Sequence, residues 1–290
     1  MRIKIITDST SDLTPELAAK YGIDIIPANI VLDDVEILDD GTLKASEFYE
    51  KIDLSSRSYT SVPSPQIIWE VIEKNKDYDH LLIINVSQKL SGFFSASSTT
   101  AKQYRKDNSK APEITVYDSK GVSAVLGTIV IKAAQLAKQG LTVKKIIKTL
   151  DKFRDEDVRV WMTVSDLKKM YEGGRISRLR YLLADIMHAY PIFSLVDGEL
   201  DLVSKDFGFE RTSKRIVTHV QEFYKKNDKV FLWSAKTVPS DNHQLFASLV
   251  EAISTPKIVG IEEFFVGSII TCHTGSRVYG VIAARNFKLD

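Results

Sequence analysis

Hydroxyl and carboxylate side chains gather at three points where an apolar run ends. Ile3 to Ile6 empties into Thr7-Asp8-Ser9-Thr10, Leu81 to Val86 into Ser87-Gln88-Lys89-Leu90-Ser91-Gly92, and Ile114 to Tyr117 into Asp118-Ser119-Lys120-Gly121. The hydroxyls among them donate and accept hydrogen bonds readily, and with Asp8 and Asp118 as the only carboxylates the three loops offer little acid, base or metal-ligating capacity. They suit holding a polar group better than transforming it. A fourth cluster, Thr60-Ser61-Val62-Pro63-Ser64-Pro65, sets two hydroxyls directly before a helix start. Capping by Ser64, with proline at the first helical position, accounts for Ser64 and leaves Thr60 and Ser61 without a local task. Lys89 and Lys120 would draw an anion toward these loops, although surface lysines ordinarily face water. Asp8 and Asp118 are expected to tie down loops through backbone N–H groups.

Catalytic alternatives are few. Ser91, Asp118 and His273 follow the Ser, Asp, His chain order of an α/β-hydrolase, which makes a serine hydrolase or esterase the competing reading. The strained nucleophile turn of that fold needs glycine on both sides of the serine, whereas Lys89-Leu90-Ser91-Gly92-Phe93 has it on one. Cys272 beside His273 suggests a thiol nucleophile, but in an extended segment neighbouring side chains point to opposite faces, so Cys272 reads as a small buried hydrophobe. No G-x-x-x-x-G-K-[ST] or G-x-G-x-x-G follows any strand, which argues against nucleotide binding by those routes. The five histidines, at 80, 188, 219, 243 and 273, show no paired ligand spacing.

The elements that must position these groups alternate from residue 1 to about 155. Thr14-Pro15 opens a first helix that Gly22 stops, and Ile23 to Leu32 reads as a strand broken by Pro27. Ser64-Pro65 launches a helix over Gln66 to Asn75, strand Leu81 to Val86 leads to a helix from Ser91 to Tyr104, and strand Ile114 to Tyr117 leads to Gly121 to Lys138, closed by Gly140. This alternation predicts an α/β domain with a parallel sheet, whose ligands sit at the carboxyl ends of the strands.

Residues 156–290 follow a different pattern. Strand Val158 to Val164, a short helix Ser165 to Tyr171 ended by Gly173-Gly174, and a helix from Ser177 to Met187 precede the hairpin Pro191 to Val196 and Glu199 to Ser204, whose turn is Asp197-Gly198. Helices over Thr212 to Lys226 and Asp241 to Ile253, and strands Val230 to Trp233, Ile258 to Val266 and Tyr279 to Ala284, complete a predicted α+β domain with a mixed sheet. The boundary is placed in the charged stretch Asp151 to Asp157.

Composition limits the classes further. With 290 residues and 44% hydrophobic content, two domains are expected. A net charge of +1, from 39 basic and 38 acidic residues, argues against nucleic acid as a partner. Single Cys272 forms no intrachain disulfide and fits a cytoplasmic setting. Neither a signal segment nor an apolar run of membrane-spanning length is present.

Six motifs, in order along the chain, resemble the DegV family: Asp8-Ser9-Thr10, Thr60-Ser61-x-Pro63-Ser64, Leu90-Ser91-Gly92, Asp118-Ser119-Lys120, Gly173-Gly174-Arg175-Ile176-Ser177 and His273-Thr274-Gly275. The resemblance implies a bacterial protein that binds one long-chain fatty acid between its two domains and serves as the acyl-binding subunit of a fatty acid kinase. A separate ATP-binding protein would do the phosphorylation, so no complete active site and no cofactor are expected in this chain. Thr60 and Ser91 resemble the pair that holds the carboxylate, with Ser61 and Gly92 beside them. Arg175, His273 and Thr274 resemble the polar groups that complete the head-group network or meet the kinase. Leu182, Leu183, Ile186 and Phe193 are expected as tunnel walls. Two positions depart from the family pattern: Phe93 stands where a threonine is common, and Phe207 where many members carry an arginine on the kinase-facing side, with Arg211 four residues on.

Overall fold

The structure, a computed structural model, describes residues 1–176, 189–224, 228–253 and 257–290. The chain divides into two compact units, one of Met1–Leu43 with Arg57–Glu156, the other of Lys44–Ser56 with Asp157–Asp290. An α/β architecture with one parallel and one mixed sheet is present, as the alternating patterns predict.

The first unit is built on a four-stranded parallel sheet of β1 (Ile3–Asp8), β2 (Asp24–Ile26), β6 (His80–Asn85) and β7 (Glu113–Asp118), in the order β2-β1-β6-β7. The inner strands β1 and β6 are buried nearly throughout, as the continuous apolar runs of a doubly covered parallel sheet require. Local signals set the helix ends. The Thr14 hydroxyl accepts from Leu17 N–H at 3.2 Å, Pro15 begins α1 (Pro15–Tyr21), and Gly22 closes it at φ +63°. Helix α5 (Ala124–Lys138) is buried on most of its circumference, and Gly127 is required there. A Cβ at Gly127 would lie 2.7 Å from the Ser11 carbonyl oxygen.

The expected strand Ile23–Leu32 is instead two strands in different sheets. After Pro27, β3 (Asn29–Leu32) joins β4 (Val35–Leu38) and β5 (Ser58–Ser61) in an antiparallel sheet of order β4-β3-β5. Proline removes the donor that would continue the parallel ladder, and the chain turns away. Helices α3 (Pro65–Lys74) and α4 (Phe93–Asp107) follow β5 and β6, and α6 (Val143–Lys152) follows α5.

Because β1 passes to β2 on one side while β6 and β7 build on the other, strand order reverses between β1 and β6. Crevices at such reversals are where open parallel sheets take ligands. Asp8 and Asn85 end the two strands there.

The second unit holds a six-stranded mixed sheet. It comprises β8 (Val158–Val164), β9 (Tyr190–Val196), β10 (Glu199–Asp206), β11 (Val230–Lys236), β12 (Ile258–Phe265) and β13 (Val278–Arg285), in the order β10-β9-β8-β13-β11-β12. The Asp197-Gly198 turn has φ of +48° and +82°, the left-handed pair that a two-residue hairpin needs. Helix α7 (Leu167–Glu172) follows β8, and helices α8 (Phe209–Phe223) and α9 (Asp241–Glu251) cover one face, where Trp161, Ile216, Val220, Leu232, Phe246 and Tyr279 form the core.

Helix α2 (Ala45–Leu54) belongs to this second unit although its residues precede β5, and the patterns in the sequence do not signal it. It packs against α10 (Ser268–Thr274), and the Tyr49 hydroxyl donates to the Val266 carbonyl at 2.7 Å. Asp53 takes the Ser276 hydroxyl at 2.7 and 2.8 Å. The expected helix from Ser177 to Met187, and with it Leu182, Leu183 and Ile186, lies outside the described residues. No helix among the described residues is long and apolar enough to cross a membrane.

Candidate functional site

Most hydroxyls at the carboxyl ends of the parallel strands serve the loops themselves. Thr7 Oγ1 donates to the Ile84 carbonyl at 2.8 Å, Thr10 Oγ1 to Asp8 at 2.5 Å, and the Ser123 hydroxyl to Asp12. Ser9 Oγ accepts from Ala28 N–H at 3.1 Å and Ser119 Oγ from Gly121 N–H at 3.0 Å. Ser91 differs. Its Oγ accepts only a long 3.4 Å contact from Phe93 N–H, and its own proton has no acceptor among the described residues. Helix α4 is capped by Gly92, so capping does not account for Ser91.

The Thr60 loop lies beside this serine. Thr60 is on β5, opposite Ile30, and Ser61 is the last residue of that strand. A Cβ placed on Gly92 would sit 3.7 Å from Val62 Cγ1, so the backbone of the Ser91-Gly92 turn packs against the loop that leaves Thr60 and Ser61. Ser64 has the extended backbone of an N-cap but makes no side-chain capping bond, and the capping expected of it is therefore one of conformation alone. Phe93, the first residue of α4, is buried.

Asp8 and Asp118 act as the predicted loop ties. Asp8 is buried and takes Val86 N–H at 2.8 Å, Asn85 Nδ2 at 3.0 Å and Thr10 N–H at 3.2 Å. Burial pushes its carboxyl pKa up, against the pull of these donors. Asp118 Oδ1 takes Lys120 N–H at 2.9 Å and Gln88 N–H at 3.3 Å.

In the second unit, Arg175 and His273 come together. Arg175 Nη1 donates to the Gly173 carbonyl at 2.6 Å and lies 3.4 Å from His273 Nδ1, which assigns Nδ1 as acceptor and leaves the ring proton on Nε2. His273 lies in α10 and not in an extended segment or a strand-edge turn, because Gly267 and Gly275 bracket seven residues whose Thr271 and Thr274 hydroxyls bond back to carbonyls one turn earlier. Thr274 Oγ1 lies 3.0 Å from the Ile270 carbonyl and 3.1 Å from that of Gly275. Cys272, one residue from His273 on the same helix, is buried. Close approach of α7 to α10 depends on Gly173, where a Cβ would come within 3.0 to 3.2 Å of the His273 backbone and Cβ. In the sequence Gly173 reads only as part of a helix stop, and its place in Gly173-Gly174-Arg175 is the signal that marks it.

Burial, and secondarily the Arg175 guanidinium, pushes the His273 pKa down to about 4. In the unfolded chain the ring titrates near 6.5, so below that pH the unfolded state takes up a proton that the folded state refuses until about pH 4. Stability is therefore lost as pH falls from 6.5 to 4, by about 2 kcal/mol once solvent screening is allowed for. Urea unfolding at pH 7 and pH 4.5 should show this loss in the wild type and much less of it in His273→Gln. Equal losses in the two proteins would remove His273 as the source.

A hydrolytic triad is poorly served by this geometry. Where a triad histidine needs a carboxylate at Nδ1, His273 meets a guanidinium that lowers its basicity, and Asp118 is engaged by backbone amides. Among the described residues no three His, Cys, Asp or Glu side chains gather as a metal site.

A family model described as "Uncharacterised protein, DegV family" matches residues 2–286. DegV domain-containing protein SAR1438 of Staphylococcus aureus is 27% identical over 290 residues, covering 97% of this chain and 98% of that protein. Two solved structures, both described as binding fatty acid, share the fold. The DegV family protein of Thermus thermophilus has a TM-score of 0.88 at 24% identity, over 98% of this chain and 100% of its own. DegV of Bacillus subtilis has a TM-score of 0.86 at 24% identity, over 99% and 100%. With the motifs in order and the family model spanning nearly its whole length, the chain belongs to the DegV family.

Proposed function

We propose that this protein binds a long-chain fatty acid whose carboxylate takes hydrogen bonds from Thr60 and Ser91, and that it presents the acid to a separate ATP-dependent kinase. The observation that carries the reading is the packing of Val62 against Gly92, with an uncommitted Ser91 hydroxyl alongside. A carboxylate withdrawn from water costs several kcal/mol unless donors meet it, and one hydroxyl at the end of β5 with another on the turn before α4 answers that need. The fatty acid binding described for the Thermus and Bacillus proteins gives the ligand class.

Arg175 and the neutral Nε2–H of His273 are both donors, and in this reading they serve the head group or the kinase. Phe193, fully buried on β9, serves the acyl chain. Phe207 is 66% exposed, while Arg211 reaches Asp206 at 3.2 Å and still faces solvent, so Arg211 supplies the positive charge of the kinase-facing side. The protein holds the acid, and the partner contributes ATP and the phosphoryl-transfer chemistry.

Solvent extraction and mass spectrometry of purified protein should release close to one C14 to C18 acid per chain. Protein that is empty, and that labels at Ser91 with a fluorophosphonate, would overturn the binding function.

A further inference from the structure

Every amide of the segment that leads to Ser91 has a fixed acceptor. Val86 and Gln88 donate to the carboxylates of Asp8 and Asp118, Ser87 donates to the Gly121 carbonyl at 2.9 Å, and Lys89 to Ser87 Oγ at 3.3 Å. Leu90 and Ser91 both donate to the Ser87 carbonyl, at 3.0 and 3.1 Å. Six consecutive N–H groups are thus satisfied, and the turn is a rigid mount rather than a loop free to adapt.

Two of those acceptors are carboxylates, one from each strand flanking β6. Asp8 is the more constrained. Four donors converge on its two oxygens, namely Thr10 N–H and Oγ1 on Oδ1, and Asn85 Nδ2 and Val86 N–H on Oδ2. Only a carboxylate accepts on both sides; an asparagine would turn an NH₂ toward donors on one of them. Asp8 also stands at the reversal of strand order, where the carboxyl ends of β1 and β6 diverge.

We propose that Asp8 is the positioning residue for Ser91, its carboxylate fixing the Asn85–Val86 end of the turn so that the Ser91 hydroxyl is aimed at the ligand's carboxylate. The inference rests on the reading of Ser91 as a carboxylate donor. It goes beyond that reading in assigning specificity for the acid head group to a buried aspartate that does not touch the ligand.

The test compares hexadecanoic acid with 1-hexadecanol, which share a chain and differ in head group, by calorimetric titration of delipidated protein. Asp8→Asn should lower the ratio of acid to alcohol affinity about tenfold, as should Ser91→Ala, since each disrupts one charge-assisted hydrogen bond. Because both act on the same bond, the double variant should fall no more than roughly twofold below either single variant. Alcohol affinity should fall by no more than about threefold in all three, because an alcohol loses at most a neutral hydrogen bond, whereas a general loss of structure would lower acid and alcohol affinity alike. An unchanged ratio in Asp8→Asn, or effects that multiply in the double variant, would overturn the positioning role. A wild type that does not prefer the acid, or an unaffected Ser91→Ala, would instead overturn the carboxylate reading and the positioning role with it. Should Asp8→Asn fail to fold, Asp118→Ala carries the test by freeing Gln88 N–H, with a roughly threefold fall in the same ratio expected and an unchanged ratio overturning the proposal.

Discussion

A Thr60→Val, Ser91→Ala double variant should bind hexadecanoic acid about a hundredfold more weakly than the wild type, and should come off a purification column nearly free of lipid. Each hydroxyl supplies one charge-assisted hydrogen bond, worth about 1.5–3 kcal/mol to a carboxylate that has left water. Losing both leaves the acid to bind in its protonated form or to forgo the site. Valine keeps the branched shape that suits Thr60 to β5, and alanine suits the turn before α4, so the melting temperature should change little. Retention measured by extraction, and affinity by titration, should therefore fall without a matching loss of fold. Unchanged retention in the double variant would remove both residues from the site.

Phe48→Ala should cost the second unit about 3–5 kcal/mol, the penalty for emptying a fully buried aromatic position. Phe48, Tyr49 and Ile52 are the buried residues of α2, and Tyr49 adds its hydrogen bond to the Val266 carbonyl. Tyr49→Phe, which deletes that bond and keeps the ring, should cost about 1 kcal/mol. Trp161 and Trp233 are in the second unit and Trp69 in the first, so single-tryptophan versions report the units separately. In Phe48→Ala the urea midpoint read from Trp161 or Trp233 should drop while that read from Trp69 moves less. A shift confined to Trp69 would mean that α2 stabilises the first unit instead.

How far these features could be read from the residues alone depended on how local their causes are. Thr14, Pro15 and Gly22 bound α1 through bonds spanning four residues, and Asp197-Gly198 dictates its hairpin through two dihedral pairs; both were legible. So was β8, whose Val158–Val164 run needs no partner to announce itself. Helix α2 was not, because ASEFYEKIDL offers a narrow apolar stripe amid charges and its packing partners come more than two hundred residues later. The segment around His273 reads as extended in the sequence, although it forms α10, because seven residues give too short a period to recognise.

The candidate site divides along the same line. In the sequence Thr60 stands out as a hydroxyl that the capping of the next helix does not use, and the motif resemblance points to Ser91. The contact of Val62 with Gly92, by contrast, depends on where β5 ends relative to β6, which no spacing along the chain encodes. Asp8 was legible as a loop tie but not as the one group whose four donors reach back into the Ser91 turn.

The place of α2 in the chain also sets a timetable for biogenesis. Residues 44–56 leave the ribosome about 100 residues before Asp157, and at roughly 5–20 residues per second that is a wait of some seconds. Throughout it Phe48, Tyr49 and Ile52 have no α10 to cover them, since the residues they dock on come more than two hundred positions later in the chain. The nascent chain therefore carries a sticky, unpaired helix while its first unit is being completed, and translation speed or a chaperone that shields that helix becomes a determinant of yield.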